Sequence, residues 1–255
     1  MKIAKLIRFA QILLAAISFS FLCWALYSTL SYLAVAPRFE VKKLSVSGLK
    51  RVDENQVIAK AGFEVGTNVF RVNLQEIRRR VEELQWVRHA TVQRVLPDQI
   101  IIKVIEREPI GLARIQGEIY QFDQDGKILD PDPVRVSSFP ILDGLRLDSE
   151  KDNLPKVLTY KRILEELGPN SLSQIHINAS GEVTVVSSSD PFLVNLGTTD
   201  FRNRWIKYLQ LKPQIERRYP LAVRVDLRFK NQVIVRMQED DAGENIVWDA
   251  KRNTL

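Results

Sequence analysis

Few of the side chains that can do chemistry are spaced here so that they could do it together. Ser187-Ser188-Ser189 run straight into Asp190-Pro191, a hydroxyl beside a carboxylate. A nucleophile, however, needs an activating base within reach. The run is read as a loop. Gln121-x-Asp123-x-Asp125-Gly126, closing at Asp132, has the oxygen spacing of a calcium loop. Its first ligand would be a glutamine and its twelfth a short aspartate, which weakens both charge and bidentate reach, so a hairpin turn is the expectation. His89 and His176 belong to no metal-ligand spacing and are expected to be ordinary strand residues. No Gly-x-Ser-x-Gly elbow, phosphate-binding glycine loop or dinucleotide fingerprint occurs. Asn178-Ala179-Ser180 fits a glycosylation acceptor by chance. The expectation is a protein with no catalytic, metal or cofactor residues, whose surface does the work.

The elements that carry that surface start with a long apolar run. No charged residue occurs from Phe9 to Pro37. About 20 residues at 1.5 Å rise already cross a ~30 Å hydrocarbon core, whereas a secretory h-region is only ~7–15 residues long. Ala34-Val35-Ala36 has the small-x-small form of a cleavage site, but Pro37 would follow the cut, and its ring distorts the extended substrate that a signal peptidase needs. Trp24, Tyr27 and Tyr32 gather toward the far end, as in an aromatic belt. The run is therefore expected to stay as a membrane anchor. Lys2, Lys5 and Arg8 precede it with no acidic residue before Glu40, so the N-terminus is expected inside and the bulk outside. The single cysteine, Cys23, lies in the run, which leaves the exported part without disulfides and compatible with an oxidising compartment. The formal charge is +6, but without the three leading bases 34 basic residues face 31 acidic ones. That excess is too dispersed for a nucleic-acid-binding face.

After the anchor, Phe39 to Leu49 alternate as a strand. Asp53 with Gln56 forms a capping box for a short helix closed by Gly62, and Asn73 with Glu76 starts another. That second helix has Leu74, Ile77, Val81 and Leu84 on one face, with Arg78-Arg79-Arg80 mostly opposite, as a solvated face or one for an acidic partner. Trp86–Leu96 and Gln99–Glu108 form a hairpin about Pro97-Asp98, with Ile100, Ile102 and Val104 on one face and Ile101, Lys103 and Ile105 on the other. Further strands follow: Ile119–Phe122 and Lys127–Leu129 about a DQDG turn, then SQIHIN, EVTVVSS and FLVNLG. One helix is expected from about Pro155 to Leu167, another with Phe201, Trp205, Tyr208 and Leu209 on one side. Val223, Val225, Leu227 and Phe229 alternate with charged residues. Lys230-Asn231-Gln232 turns the chain into a last strand, Val233–Met237, expected to be an exposed edge before a polar, frayed tail in which Ile246-Val247-Trp248 could dock.

The expected architecture is α+β. Residues 1–8 form a cytoplasmic tail and 9–36 a transmembrane helix. Residues 37–108 make a small β-α-α-β-β domain, 109–238 a larger, mostly antiparallel β domain with flanking helices, and 239–255 a polar tail.

The ordered set F-E-V-x-x-L-x-V-x-G (Phe39–Gly48), W-V-R-H-A-x-V-x-R-x-x-P-D (Trp86–Asp98), V-x-E-R-E-P (Val104–Pro109), V-N-L-G (Val194–Gly197) and V-D-L-R-F (Val225–Phe229) resembles the bacterial division proteins FtsQ, called DivIB in Gram-positive bacteria. The small domain is similar to a POTRA domain. The resemblance implies a non-enzymatic scaffold at the division septum, joining early cytoplasmic to late periplasmic proteins. It implies FtsB and FtsL as partners, and through them control of septal peptidoglycan synthesis. Carried onto this chain, the FtsB-binding strand addition falls on Arg228, Phe229, Asn231, Ile234, Val235 and Met237. Phe229 stands where tyrosine is frequent and Gln232 where the turn often has glycine. The POTRA-like domain is expected to help recruitment around Lys103. Two other readings compete. One is a membrane-anchored POTRA protein assisting polypeptide export or outer-membrane assembly, which would carry tandem units and a barrel. The other is an anchored envelope peptidase, which would need a nucleophile and base.

Overall fold

The computed structural model describes residues 2–62, 64–131, 139–229, 232–237 and 245–249. The chain forms two compact units, Met1–Arg107 and Glu108–Leu255.

The first unit opens with helix α1 (Lys2–Val35). Its stretch Gln11–Val35 is long and apolar enough to cross a membrane, and Ile12, Phe21, Trp24, Tyr27 and Tyr32 all stand exposed. A single turn at Pro37–Phe39 leads into β1 (Lys43–Ser47), α2 (Glu54–Ala61), α3 (Leu74–Glu82), β2 (Val87–Val95) and β3 (Gln99–Glu106). The helix starts follow from their caps. Asp53 accepts the N–H groups of Asn55 and Gln56, and Asn73 those of Gln75 and Glu76, satisfying donors that the first turn leaves without partners. Gly62, at φ 65°, ends α2 in the left-handed region. The sheet order is β1-β3-β2, with β1 parallel and β2 antiparallel to the central β3. Ile100, Ile102 and Val104 are buried with Ile77 and Val81, and Leu74 and Leu84 pack against this core. The arginine run is matched within its own helix. Arg79 and Arg80 each lie 2.9 Å from Glu76, and Arg78 lies 3.9 Å from Glu82.

Glu106, at the end of β3, holds the turn after β1. Its carboxylate accepts the backbone N–H groups of Lys50 (2.7 Å), Arg51 (3.0 Å) and Val52 (3.0 Å). Burial pushes its pKa up, but these N–H bonds outweigh burial and hold it below the ordinary value. A lowered folded pKa contributes stability that is complete above the unfolded value and drains as pH falls through the folded one. Glu106→Gln is therefore expected to cost about 1 kcal/mol at neutral pH and to flatten the loss of stability between about pH 5 and 3. Denaturant titrations of the full chain in detergent at several pH values check this.

The end of α1 is bonded directly to the small domain. Ala36 is buried, and Asn68, itself 8% exposed, donates from its side chain to the carbonyl of Leu33 (2.9 Å) in the last turn of α1. Residues 39–41 and 66–69 are laced by Val69 N–H to Phe39 O, Val41 N–H to Thr67 O and Gly66 N–H to Val41 O.

The second unit contains β4 (Pro109–Ile115), β5 (Glu118–Asp123), β6 (Ile128–Pro131), β7 (Ile141–Asp143), α4 (Glu150–Leu167), β8 (Leu172–Ile177), β9 (Val183–Ser187), β10 (Leu193–Gly197), α5 (Phe201–Arg218), β11 (Ala222–Asp226), β12 (Gln232–Met237) and β13 (Asn245–Asp249). They make one ten-stranded sheet, ordered β13-β12-β11-β10-β9-β8-β7-β4-β5-β6. Pairing is antiparallel except at β4–β7, β7–β8 and β10–β11, where α4 and α5 supply the crossovers to β8 and β11 that parallel strands require. Val157, Tyr160, Ile163, Phe201, Trp205, Tyr208 and Ile215 of these helices bury one sheet face with Ile175, Val185, Val194, Val225 and Val235. Gly111 lets Phe122 and Tyr160 meet edge to face at 5.3 Å, because a Cβ there would lie 2.4 Å from the Phe122 ring. Asp123 closes the β5–β6 turn by accepting the N–H groups of Asp125 and Lys127. The calcium-like spacing thus forms a turn up to Pro131, and Asp132 lies outside the described residues.

Three expectations are corrected. Helix α4 starts at Glu150, ahead of Pro155, because the Ser149 carbonyl accepts the N–H groups of Asp152 and Asn153 and builds a turn before the proline. Leu209 is 47% exposed, so the buried stripe of α5 runs on to Ile215. Phe229, by contrast, is 44% exposed as an aromatic anchor must be, and stands beyond the end of β11 at Asp226 while Val225 and Leu227 are buried. Finally, Val233–Met237 is not a bare edge. β13 pairs along its outer side, Val233 with Trp248 and Val235 with Ile246. The run Ile246-Val247-Trp248 has the β-branched and aromatic composition that suits a strand, and it covers β12 where a frayed tail was expected.

Candidate partner-binding surface

The helices cover one face of the large sheet and leave the other open among the described residues. On that open face β10, β11 and β12 shape a cleft of about 340 Å³ lined by Asn195, Arg224, Asp226, Arg228, Phe229, Ile234 and Arg236. Strand period explains the lining. Val225, Val233 and Val235 point into the core, so Arg224, Asp226, Ile234 and Arg236 face the other way. A register shift between Ala222 and Arg224 brings Arg224 opposite Arg236.

Arg228 is held between two carboxylates. It reaches Asp226 (Nη2 to Oδ2, 2.8 Å) and Glu182 (Nη1 to Oε1, 2.6 Å). The hydrogen bonds to Asp226 and then Glu182 push its already high pKa further up. Its guanidinium lies 5.9 Å from the Phe229 ring, which places an exposed aromatic beside a held cation. Arg224, Arg228 and Arg236 against Asp226 and the reaching Glu182 leave the cleft an excess of one positive charge, and Phe229 with Ile234 makes it partly apolar. Such a surface suits an acidic segment with apolar side chains.

Of the residues singled out in the sequence, the structure brings Arg228, Phe229 and Ile234 together here. Val235 is fully buried, so a partner on the open face meets it at most through backbone. Met237 is half-buried opposite Ala222. Asn231 lies outside the described residues. Lys103 is exposed, but on the central strand, between Ser47 and Thr91. It therefore offers a sheet face and not an edge. Arg224, Arg236, Asn195 and Glu182 were not singled out in the sequence. The charged positions alternating with Val225 and Leu227 were the signal for Arg224, whereas the reach of Glu182 across the sheet needed the fold.

A second cleft of about 330 Å³ continues along the same face and shares Arg224. His176 lines it with Gln174, Thr184 and the Arg114–Asp143 pair (2.7 Å). The serine run makes a polar knot. Lys212 lies 2.8 Å from Asp190 and donates to Ser189 Oγ at 3.0 Å, while Tyr208 donates to Asp190 at 2.6 Å. With its ammonium committed to a carboxylate, Lys212 is a poor base for the adjacent serine.

Two family models match successive parts of the chain. Residues 39–107 match the model of the POTRA domain, FtsQ-type, and residues 111–228 that of the cell division protein FtsQ/DivIB, C-terminal. The chain is similar to the cell division protein FtsQ of Koribacter versatilis, 29% identical over 203 residues, covering 75% of this chain and 58% of that one. It is also similar to FtsQ of Syntrophotalea carbinolica, 24% identical over 224 residues, covering 81% and 76%. Among solved structures, the major extracytoplasmic domain of DivIB from Geobacillus stearothermophilus aligns with 44% of this chain and 97% of its own at 16% identity and TM-score 0.31. The two family models follow each other in order and together take in well over half of the sequence, and on that ground the chain belongs to the FtsQ/DivIB family of cell division proteins.

Proposed function

We propose that this protein is a non-enzymatic scaffold of the division machinery. Helix α1 anchors it in the cytoplasmic membrane with its N-terminus inside, and both folded units work outside, at the septum. The cleft of β10–β12 binds FtsB together with FtsL, which links early cytoplasmic division proteins to late periplasmic ones and helps control septal peptidoglycan synthesis. The exposed Lys103 face of the small domain contributes to recruitment.

The observation that carries this reading is Phe229. A large aromatic 44% exposed beside a paired guanidinium, in a cleft ringed by arginines, is the composition of an interface anchor and not of a solvated surface. Phe229→Ala is expected to weaken FtsB binding about 30-fold, the equivalent of ~2 kcal/mol. The check is FtsB affinity of the full chain in nanodiscs, wild type against variant, with circular dichroism showing both folded. Wild-type affinity in a folded variant would place the partner elsewhere.

A further inference from the structure

We infer that the loop Glu64–Arg71 of the small domain is a membrane-contacting surface, seated in the headgroup region beside the exit of α1. The inference rests on reading α1 as a membrane span. The apolar stretch of α1 ends at Val35, and Leu33, two residues earlier, lies about 3 Å back along the axis. That level is the boundary between hydrocarbon and headgroups. Asn68 is bound to the Leu33 carbonyl at 2.9 Å, so the loop carrying Asn68 sits at the same level. The bond is specific in kind. The last carbonyls of a helix lack intrahelical donors, and an unsatisfied carbonyl near lipid is costly. The same Asn68 side chain accepts the N–H of Phe70 through its other atom (2.9 Å), which fixes the loop's tip relative to the anchor.

The side chains at this level suit lipid. Val35 is 70%, Val65 69% and Phe70 41% exposed, and Phe70 packs edge to face on Phe39 at 5.2 Å. Arg38 and Arg71 are exposed beside them, placed to meet phosphate headgroups. Exposed apolar side chains with flanking bases are the pattern of interfacial segments. What covers this patch is set by its place: the bilayer that surrounds α1 is the surface the loop is held against.

The test uses the full chain in phosphatidylcholine–phosphatidylglycerol vesicles with an environment-sensitive NBD label. Phe70→Cys and Ser47→Cys, the latter at the far end of β1, are each labelled in a Cys23→Ser background, and the native Cys23 is labelled in the wild type. The Phe70 label is expected to emit to the blue and to be quenched at least twofold by lipid spin-labelled near the headgroup. The Ser47 label should stay unquenched, and the Cys23 label should be quenched best by lipid labelled deep in the chain. A Phe70 label that behaves like the Ser47 label, while Cys23 is quenched, overturns the inference and leaves the span standing. An unquenched Cys23 removes the span and the inference with it. Adding Asn68→Ala should release the Phe70 label from quenching without changing Cys23. Full quenching retained in that variant would overturn the role of the tether.

Discussion

Ile102→Asp is expected to unfold the small domain, whereas Lys103→Asp leaves its stability nearly unchanged. The two residues are neighbours on β3, the central strand of the three-stranded sheet, and a strand sends successive side chains to opposite faces. Ile102 is 0% exposed. It lies between Val46 and Val92 in register and within the core that Ile77 and Val81 complete. A carboxylate there has no cation or donor to meet, and burying it costs several kcal/mol after the group protonates or the site relaxes. A domain of this size rarely has more than ~3–5 kcal/mol to lose. Lys103 faces solvent, so the change there alters charge and little else. Hydrogen exchange of the full chain in detergent reads both variants. Ile102→Asp should lose protection throughout Lys43–Glu106, and Lys103→Asp should keep it. Equal loss in both would show that the facing of β3 is wrong.

The second large effect is expected at Asp190, in the large domain. Its side chain is 4% exposed and that of Lys212 is 19% exposed, with 2.8 Å between them. Tyr208 O–H and Phe192 N–H also donate to this carboxylate. It therefore ties the loop after β9 to α5. Asp190→Ala removes one group and strands three: an ammonium without its close counter-charge, a phenol on a fully buried residue and the Phe192 N–H. Breaking a buried pair from one side costs about 3 kcal/mol. Burial alone would push the Asp190 pKa up, yet the hydrogen bonds from Lys212 and Tyr208 hold it below its ordinary value. Its stabilisation is thus complete above the unfolded carboxylate pKa of about 3.9 and is lost as pH falls through the lower folded value. Denaturation of wild type and Asp190→Ala at pH 7 and near pH 3 should show a gap that narrows in acid. A gap independent of pH would mean that the carboxylate's charge is not what binds the loop.

Much of the small domain was legible because its signals are local. Asp53 and Asn73 name their helices by the donors they cap, and the alternation Ile100 to Ile105 states which side of β3 is inside. The apolar length of α1 needed no fold to be read. The large domain was legible in its strands and less so in their ends. Alternation alone put Phe229 in line with Val225 and Leu227 and did not tell an anchor from a core residue, because β11 stops at Asp226 and only the fold shows Leu227 buried and Phe229 exposed. A proline suggested the start of α4, whereas the Ser149 carbonyl set it five residues earlier. The cleft was half visible: alternation gave Arg224, Asp226 and Arg228 a common face, but Glu182 and Arg236 join them only through strand order, which no local pattern encodes. The Asn68–Leu33 bond spans 35 positions, and nothing near either residue announces it.

The pairing of β13 along β12 has a further consequence. A strand has only two sides, and β12 spends one on β11 and the other on β13. An incoming strand can settle against β12 only in those molecules whose own β13 has lifted away. The apparent dissociation constant is then the intrinsic one divided by the open fraction. If about one molecule in a hundred is open, affinity falls about a hundredfold, or ~2.7 kcal/mol. Competition of this kind is intramolecular, so its strength is unaffected by how much of the protein the cell makes. For any partner that binds by adding a strand to β12, β13 would set a threshold: a weak strand is turned away at any abundance, and only one that out-pairs β13 gains the edge.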